Sequence, residues 1–253
     1  MEGTMIRSQL LMACGLTVLG GVLPLTAAEK IQEKGSRQSF EVTSTEHMNF
    51  APGGTIRLND SYGYLSVDGW DEPEVEITLT KSTNAFYKPS QEEEAKARLA
   101  RIRITTDRRS DTELVITTIH ASRMGNWAPP LPRTTQAGVM TELRIHAPRD
   151  SRLVIHHDTG YVWVSDIASD IEVTSQTGDM VVMLPDPGLY SIDARTAMGT
   201  ISSDFTGTGR NRFLFGNAFA YHDEPQSRRI YLRMGRGSVT LKKGPPLGAY
   251  GKD

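Results

Sequence analysis

The side chains with which this chain could do chemistry are six histidines, scattered carboxylates and a few aromatics. His156, His157 and Asp158 together could seed a metal site. Neighbouring residues on a strand point to opposite faces, however, so two adjacent imidazoles do not easily share one ion. A turn with solvated histidines is the expectation there. The other histidines are His47, His120, His146 and His222. Asp68, Asp71 and Glu72 around Gly69 offer oxygens to calcium, but in a spacing that fits no calcium loop. Glu172, Asp179 and Asp193 fall on outward positions by strand alternation, and none has a second acid set opposite it, as a polysaccharide lyase or hydrolase needs. Nucleophile elbow, phosphate loop and zinc-helix motifs are missing. The Gly207 to Gly209 and Gly235 to Gly237 stretches lack a following helix and read as turns. No catalytic residue, metal ligand or cofactor is assigned.

Cys14 is the only cysteine. It lies in a segment that reads as removable, which leaves no disulfide, thiolate ligand or thiol nucleophile in the remainder. A formal net charge of −2 gives no electrostatic reason to expect nucleic acid or an anionic membrane as partner.

The N-terminus sets the compartment. Arg7 precedes an apolar run from Leu10 to Leu25 that ends at Thr26-Ala27-Ala28, with small residues where a signal peptidase cuts. Residues 1–28 therefore read as a signal peptide and the protein as exported to the periplasm, the cell surface or the medium. Met5 is an alternative start that leaves the cleavage site unchanged. Two rival readings use the same residues. A membrane anchor needs about 18 apolar residues, and here Gly15, Gly20, Gly21 and Pro24 interrupt the run. A lipoprotein box at Leu11 to Cys14 has too short an apolar run before it.

The elements that must position any site are glycine-punctuated strands. Around Gly63, Gly160, Gly178, Gly199 and Gly237, the residues seven and five positions before are apolar: Ile56 and Leu58, Leu153 and Ile155, Ile171 and Val173, Ile192 and Ala194, Ile230 and Leu232. Two and four positions after stand Leu65 and Val67, Val162 and Val164, Met180 and Val182, Ile201 and Ser203, Val239 and Leu241, and only Ser203 departs. Period-2 spacing on both sides of a glycine means strand, tight turn, strand, with one face buried. Gly160, Gly178 and Gly199 follow one another at 18 and 21 residues, a coil of about 20. The fold class is all-β. A β-solenoid of such coils and an antiparallel β-sandwich both satisfy the pattern, and uneven spacing favours the solenoid.

Two insertions break the array. Glu92 to Arg101 reads as a short helix that puts Ala95, Leu99 and Ile102 on one side, before strands near Ile102 to Ile104 and Leu114 to Ile119. Ala121 to Gly138, with Trp127 and a proline-rich stretch, reads as a long loop. The domain is expected over residues 29–242, with 243–253 as a C-terminal tail.

Gly53 to Leu58, then Gly63-Tyr64-Leu65-Ser66-Val67-Asp68-Gly69-Trp70-Asp71, the short helix, and Glu142 to Pro148 opening the later array together resemble a bacterial adhesin-like family of unknown function. The resemblance covers roughly residues 40–242. It implies a single-stranded β-helix on an exported protein and carries no activity and no functional residues. Alternation also puts Tyr161 and Trp163 on the face opposite Val162 and Val164, with Tyr64 and Ser66, Asp179 and Val181, and Thr200 and Ser202 in the same two columns. Such aromatics suit sugar rings or a protein partner, unless the helix or the 121–138 loop covers them, which is the expected case. The functional expectation is a non-enzymatic, adhesin-like surface or periplasmic module binding a glycan or an envelope protein, with Tyr64, Tyr161 and Trp163 as its candidate ligand-binding residues. An extracellular carbohydrate-active enzyme is the rival.

Overall fold

The computed structural model describes residues 39–83, 87–120, 139–212, 216–223 and 227–247, all within the unit Gly35–Asp253. The segment read as a signal peptide, the 121–138 loop and the last six residues lie outside these.

The fold is all-β with one short helix. Four long strands dominate: β2 (Thr55–Trp70), β7 (Arg152–Ser165), β8 (Ile171–Pro185) and β13 (Arg228–Gly244). Each carries one of the anchor glycines mid-strand, and β9 (Tyr190–Met198) and β10 (Ile201–Ser203) flank the fifth. All five glycines have φ between +121° and +140°. That backbone bends the strand and shifts the alternation by one residue, so apolar positions on both limbs aim at the same core. The glycines also lie one above another. A Cβ on Gly160 would run into the Gly63 carbonyl, one on Gly178 into that of Gly160, one on Gly237 into that of Gly178, and one on Gly199 into that of Gly237.

Parallel pairing in strict register builds the inward rows. Ile56, Leu153, Ile171, Ile230 and Ile192 form one, and Leu58, Ile155, Val173, Leu232 and Ala194 the next. Beyond the bend, Leu65, Val162, Met180, Val239 and Ile201 align, then Val67, Val164, Val182, Leu241 and Ser203. All but Ile201 and Ser203 are buried.

The strands form one mixed, open 13-stranded sheet. Further flanking strands complete it: β1 (Glu41–Asn49), β3 (Glu74–Thr83), β4 (Ile102–Ser110), β5 (Glu113–His120), β6 (Val139–Pro148), β11 (Thr208–Arg212) and β12 (Gly216–His222). The flanks differ between limbs. First limbs continue from β2 to β5 and β4, and second limbs from β2 to β6, β3 and β1.

Three details differ from what the sequence suggests. The 21-residue spacing from Gly178 to Gly199 does not make neighbours, because β13 pairs with β8 on one side and β9 on the other. The chain passes outward to β9, folds β12 and β11 back on it antiparallel, and returns between. Second, His156 and His157 do point to opposite faces but lie inside β7, not in a turn. His156 is exposed, while His157 is buried with its Nδ1 3.1 Å from a carboxylate oxygen of buried Asp60. Third, β13 runs to Gly244, so Lys243 and Gly244 belong to the sheet. Helix α1 (Glu92–Leu99) buries Ala95 and Leu99 and packs against β3. Among the described residues no helix is long and apolar enough to cross a membrane.

Candidate functional site: an aromatic face and the groove beside it

Outward residues of the second limbs form rows as regular as those of the core. One row runs Glu142, Tyr64, Tyr161, Asp179, Ser238, and the next Arg144, Ser66, Trp163, Val181, Thr240. Parallel register places equivalent side chains one strand spacing apart, about 4.8 Å. Tyr64 and Tyr161 accordingly stack, with ring centroids 5.3 Å apart and planes 5° from parallel. Both are half-buried. Burial raises the Tyr64 phenol above its ordinary value, and the Asp68 and Glu142 charges add to that. Burial also raises Tyr161, helped by Tyr64 and Asp179. Both rings therefore stay neutral phenols at neutral pH. Trp163, also half-buried, sits between Ser66 and Val181.

The end of β2 makes a wall next to Trp163. Trp70 donates its indole N–H to the Glu74 carbonyl at 2.8 Å, and its ring stacks on His146 at 5.2 Å. His146 Nδ1 lies 2.9 Å from Glu76 Oε1. Gly69 lets the strand end lie against the link after β7, since a Cβ there would meet the Asp166 carbonyl. Arg149 bridges that junction: its guanidinium donates to both Asp71 oxygens and to Asp166. The bond from Arg149 holds the Asp71 carboxyl below its ordinary range, and Asp71 raises Arg149 in turn. Asp68 accepts from Ser66 at 2.6 Å and from Ser165. Trp70, Trp163, Asp68, Glu72, Arg149 and Met183 line a groove of about 650 Å³.

A second groove of about 640 Å³ lies over β9, β11, β12 and β13. Asp193 is gripped there by Arg233 at 2.8 Å and Arg195 at 3.1 Å. Burial works against the Asp193 charge, yet the two guanidiniums hold its carboxyl below the usual range.

Trp163 is the expected residue that the structure brings to a groove, and Tyr64 and Tyr161 form a platform in the row beside it. The other candidate groups stay apart. Glu172 lies near Arg152 on a first limb, Asp179 accepts from Ser238 on a second limb, and Asp193 is held by arginines. Asp68, Asp71 and Glu72 share the groove, but Asp68 is engaged by serines and Asp71 by Arg149. Among the described residues no group of three or more acids, histidines or cysteines is set to hold a metal ion. Sequence reasoning missed Trp70, His146 and Arg149. Their signal was faint: in Asp68-Gly69-Trp70-Asp71 an aromatic sits at a strand end, in a stretch that reads by itself as a set of carboxylates with the wrong spacing for calcium.

No family model and no curated protein matches this chain. Among solved structures, a candidate cell adhesion protein from Clostridium sporogenes aligns over 82% of this chain and 100% of its own, with 14% identity and a TM-score of 0.50. The chain shares that protein's fold. Candidate adhesins from Bacteroides fragilis and Parabacteroides distasonis align over 79% of this chain and 97% of theirs, each at 9% identity, with TM-scores of 0.28 and 0.23.

Proposed function

We propose that this chain is an exported, non-enzymatic, adhesin-like module, a β-solenoid that holds a glycan or an envelope protein on its outward aromatic face. The carrying observation is the stacked Tyr64–Tyr161 pair in register beside the Trp163 row. Flat, neutral rings fixed on a rigid sheet offer contact area at little entropic cost. In-register parallel stacking of the bent strands supports the solenoid over the sandwich. The apolar run ending at Ala28 supports export, with residues 1–28 removed. A fold shared with a candidate cell adhesion protein is consistent with a role at the surface. Glu172 and Asp193 flank Tyr231 in one outward row and Asp179 lies beyond the bend, but each carboxylate is engaged by a partner of its own, Arg152, the arginines Arg195 and Arg233, and Ser238 respectively, which favours binding over glycoside hydrolysis.

The test is a glycan and envelope-protein binding screen comparing wild type with the Tyr161→Ser/Trp163→Ser double variant. Losing two such rings from a working patch costs about 2 kcal/mol or more of affinity, so capture should vanish while the melting temperature holds. A large fall in stability with the double change would show that the rings are structural. Mass spectrometry of the protein from its host should find Glu29 as the first residue. An intact N-terminus or a lipid-modified Cys14 would refute export by this route.

A further inference from the structure

We propose that the groove between Trp70 and Trp163 receives an amino sugar, a hydroxylated ring bearing an ammonium group. This rests on the reading of the chain as an interaction module and names the chemistry of its ligand.

Two features of the groove converge on that class. Two indoles line the groove. Trp70 is fixed by its bond to the Glu74 carbonyl and by His146 behind it. Trp163 stands between Ser66 and Val181 in its row. Indole faces suit the C–H side of a pyranose and, equally, a cation lying over the ring. The second feature is charge. Four carboxylates line the groove, those of Asp68, Asp71, Glu72 and Asp166, against the single guanidinium of Arg149. Asp71 and Asp166 divide that guanidinium between them. The His146 ring lies on Trp70 with its Nδ1 turned to Glu76. Asp68 accepts from the hydroxyls of Ser66 and Ser165 and feels the Arg144 guanidinium at a distance, but no cation among the described residues lies close enough to form an ion pair with it. Lys242, the next cation along its row, lies on β13 beyond Met183 and does not line the groove. A sulfated, phosphorylated or carboxylated sugar would meet this surplus of negative charge unfavourably. An ammonium would meet Asp68 with Glu72 near it, while the ring hydroxyls find acceptors. A volume of about 650 Å³ falls within the range of small-ligand sites.

The test uses the full-length protein, with tryptophan fluorescence and calorimetry as readouts and glucosamine tetramer against N-acetylglucosamine tetramer as probes. The rings are the same, and acetylation removes the positive charge. The glucosamine oligomer should bind at least roughly tenfold tighter, the effect of about 1.4 kcal/mol, and weaken as salt rises. Asp68→Asn should erase most of that preference without lowering the melting temperature, and Glu72→Gln, on an exposed side chain, should erase part of it. Equal affinity for both oligomers would overturn the charge argument and leave a neutral-glycan groove. Binding of neither, with envelope capture still lost in the Tyr161→Ser/Trp163→Ser variant, would overturn the groove proposal and leave the interaction face standing. Loss of both would remove the two together.

Discussion

The stacked strands and the β1 flank belong to one sheet but are held by different forces. Val162 and Val182 have no solvent exposure themselves and are closed on both sides by apolar residues in register, Leu65 and Met180 for the first and Val164 and Leu241 for the second. On β1, eight of nine residues are exposed, and the strand hangs on β3 through its backbone ladder and a line of polar pairs. Thr43 meets Thr80 at 3.1 Å, Thr45 meets Thr78 at 3.0 Å, and His47 lies 3.5 Å from Glu74 and 3.6 Å from Glu76. Such cross-strand pairs contribute about 0.2–1 kcal/mol each, whereas each enclosed aliphatic side chain contributes about 1.5–3 kcal/mol. A single sheet can thus be a packed core at its centre and a loosely committed edge at its side.

The largest expected effect comes from charging the centre. Val162→Asp and Val182→Asp should each cost about 4 kcal/mol or more, because neither carboxylate finds a partner among the aliphatic rows. Tyr161→Asp, one residue away on the outward face, should cost about 1 kcal/mol or less. Chemical denaturation of the three variants checks this, and similar midpoints would mean that inside and outside have been confused.

Next comes the buried pair at the bend. Asp60→Ala leaves the enclosed His157 ring without its neighbour and should cost about 3 kcal/mol. A double Asp60→Leu/His157→Leu change should recover most of that, since apolar replacements of buried pairs are often neutral or better. A double variant as unstable as the single would show that the pair specifies the bend itself.

The glycine column should respond less, and unequally. Gly178→Ala combines a strained φ with a clash against the Gly160 carbonyl and should cost about 2–3 kcal/mol. Gly53→Ala, at φ +79° with open space around it, should cost about 1 kcal/mol from backbone strain alone. Equal losses would dismiss the stacking of glycines as a constraint. Smallest of all, Thr45→Val on β1 should shift stability by about 0.5 kcal/mol or less, seen as faster amide exchange confined to that strand.

Much of the fold was legible because its rules are short-range. Alternation around five glycines named the inward rows, including Ser203 as their one polar member, and the three-to-four spacing of Ala95, Leu99 and Ile102 named the buried side of α1 and its exit. The candidate face was legible for the same reason, since Tyr161 and Trp163 must oppose Val162 and Val164. The groove was not, because Trp70 and Arg149 meet only through the pairing of β2 with β6, and Asp166 joins them only when the link after β7 folds against the end of β2.

By itself the sequence determined which residues turn inward, where the backbone must accept a positive φ, and that the chain is built of strands. These follow from a two-residue period and the missing Cβ of glycine, properties that each segment carries wherever it ends up. Which strand lies beside which was decided only in the tertiary structure. β13 fits between β8 and β9 because its apolar rows match both, and nothing in its own pattern distinguishes that place from the end of the stack. His157 is buried against Asp60, 97 positions earlier, because parallel register sets the two strands side by side. Contacts of that range depend on the joint packing of the whole sheet, since closing the long loops between them is repaid only when every row is filled at once.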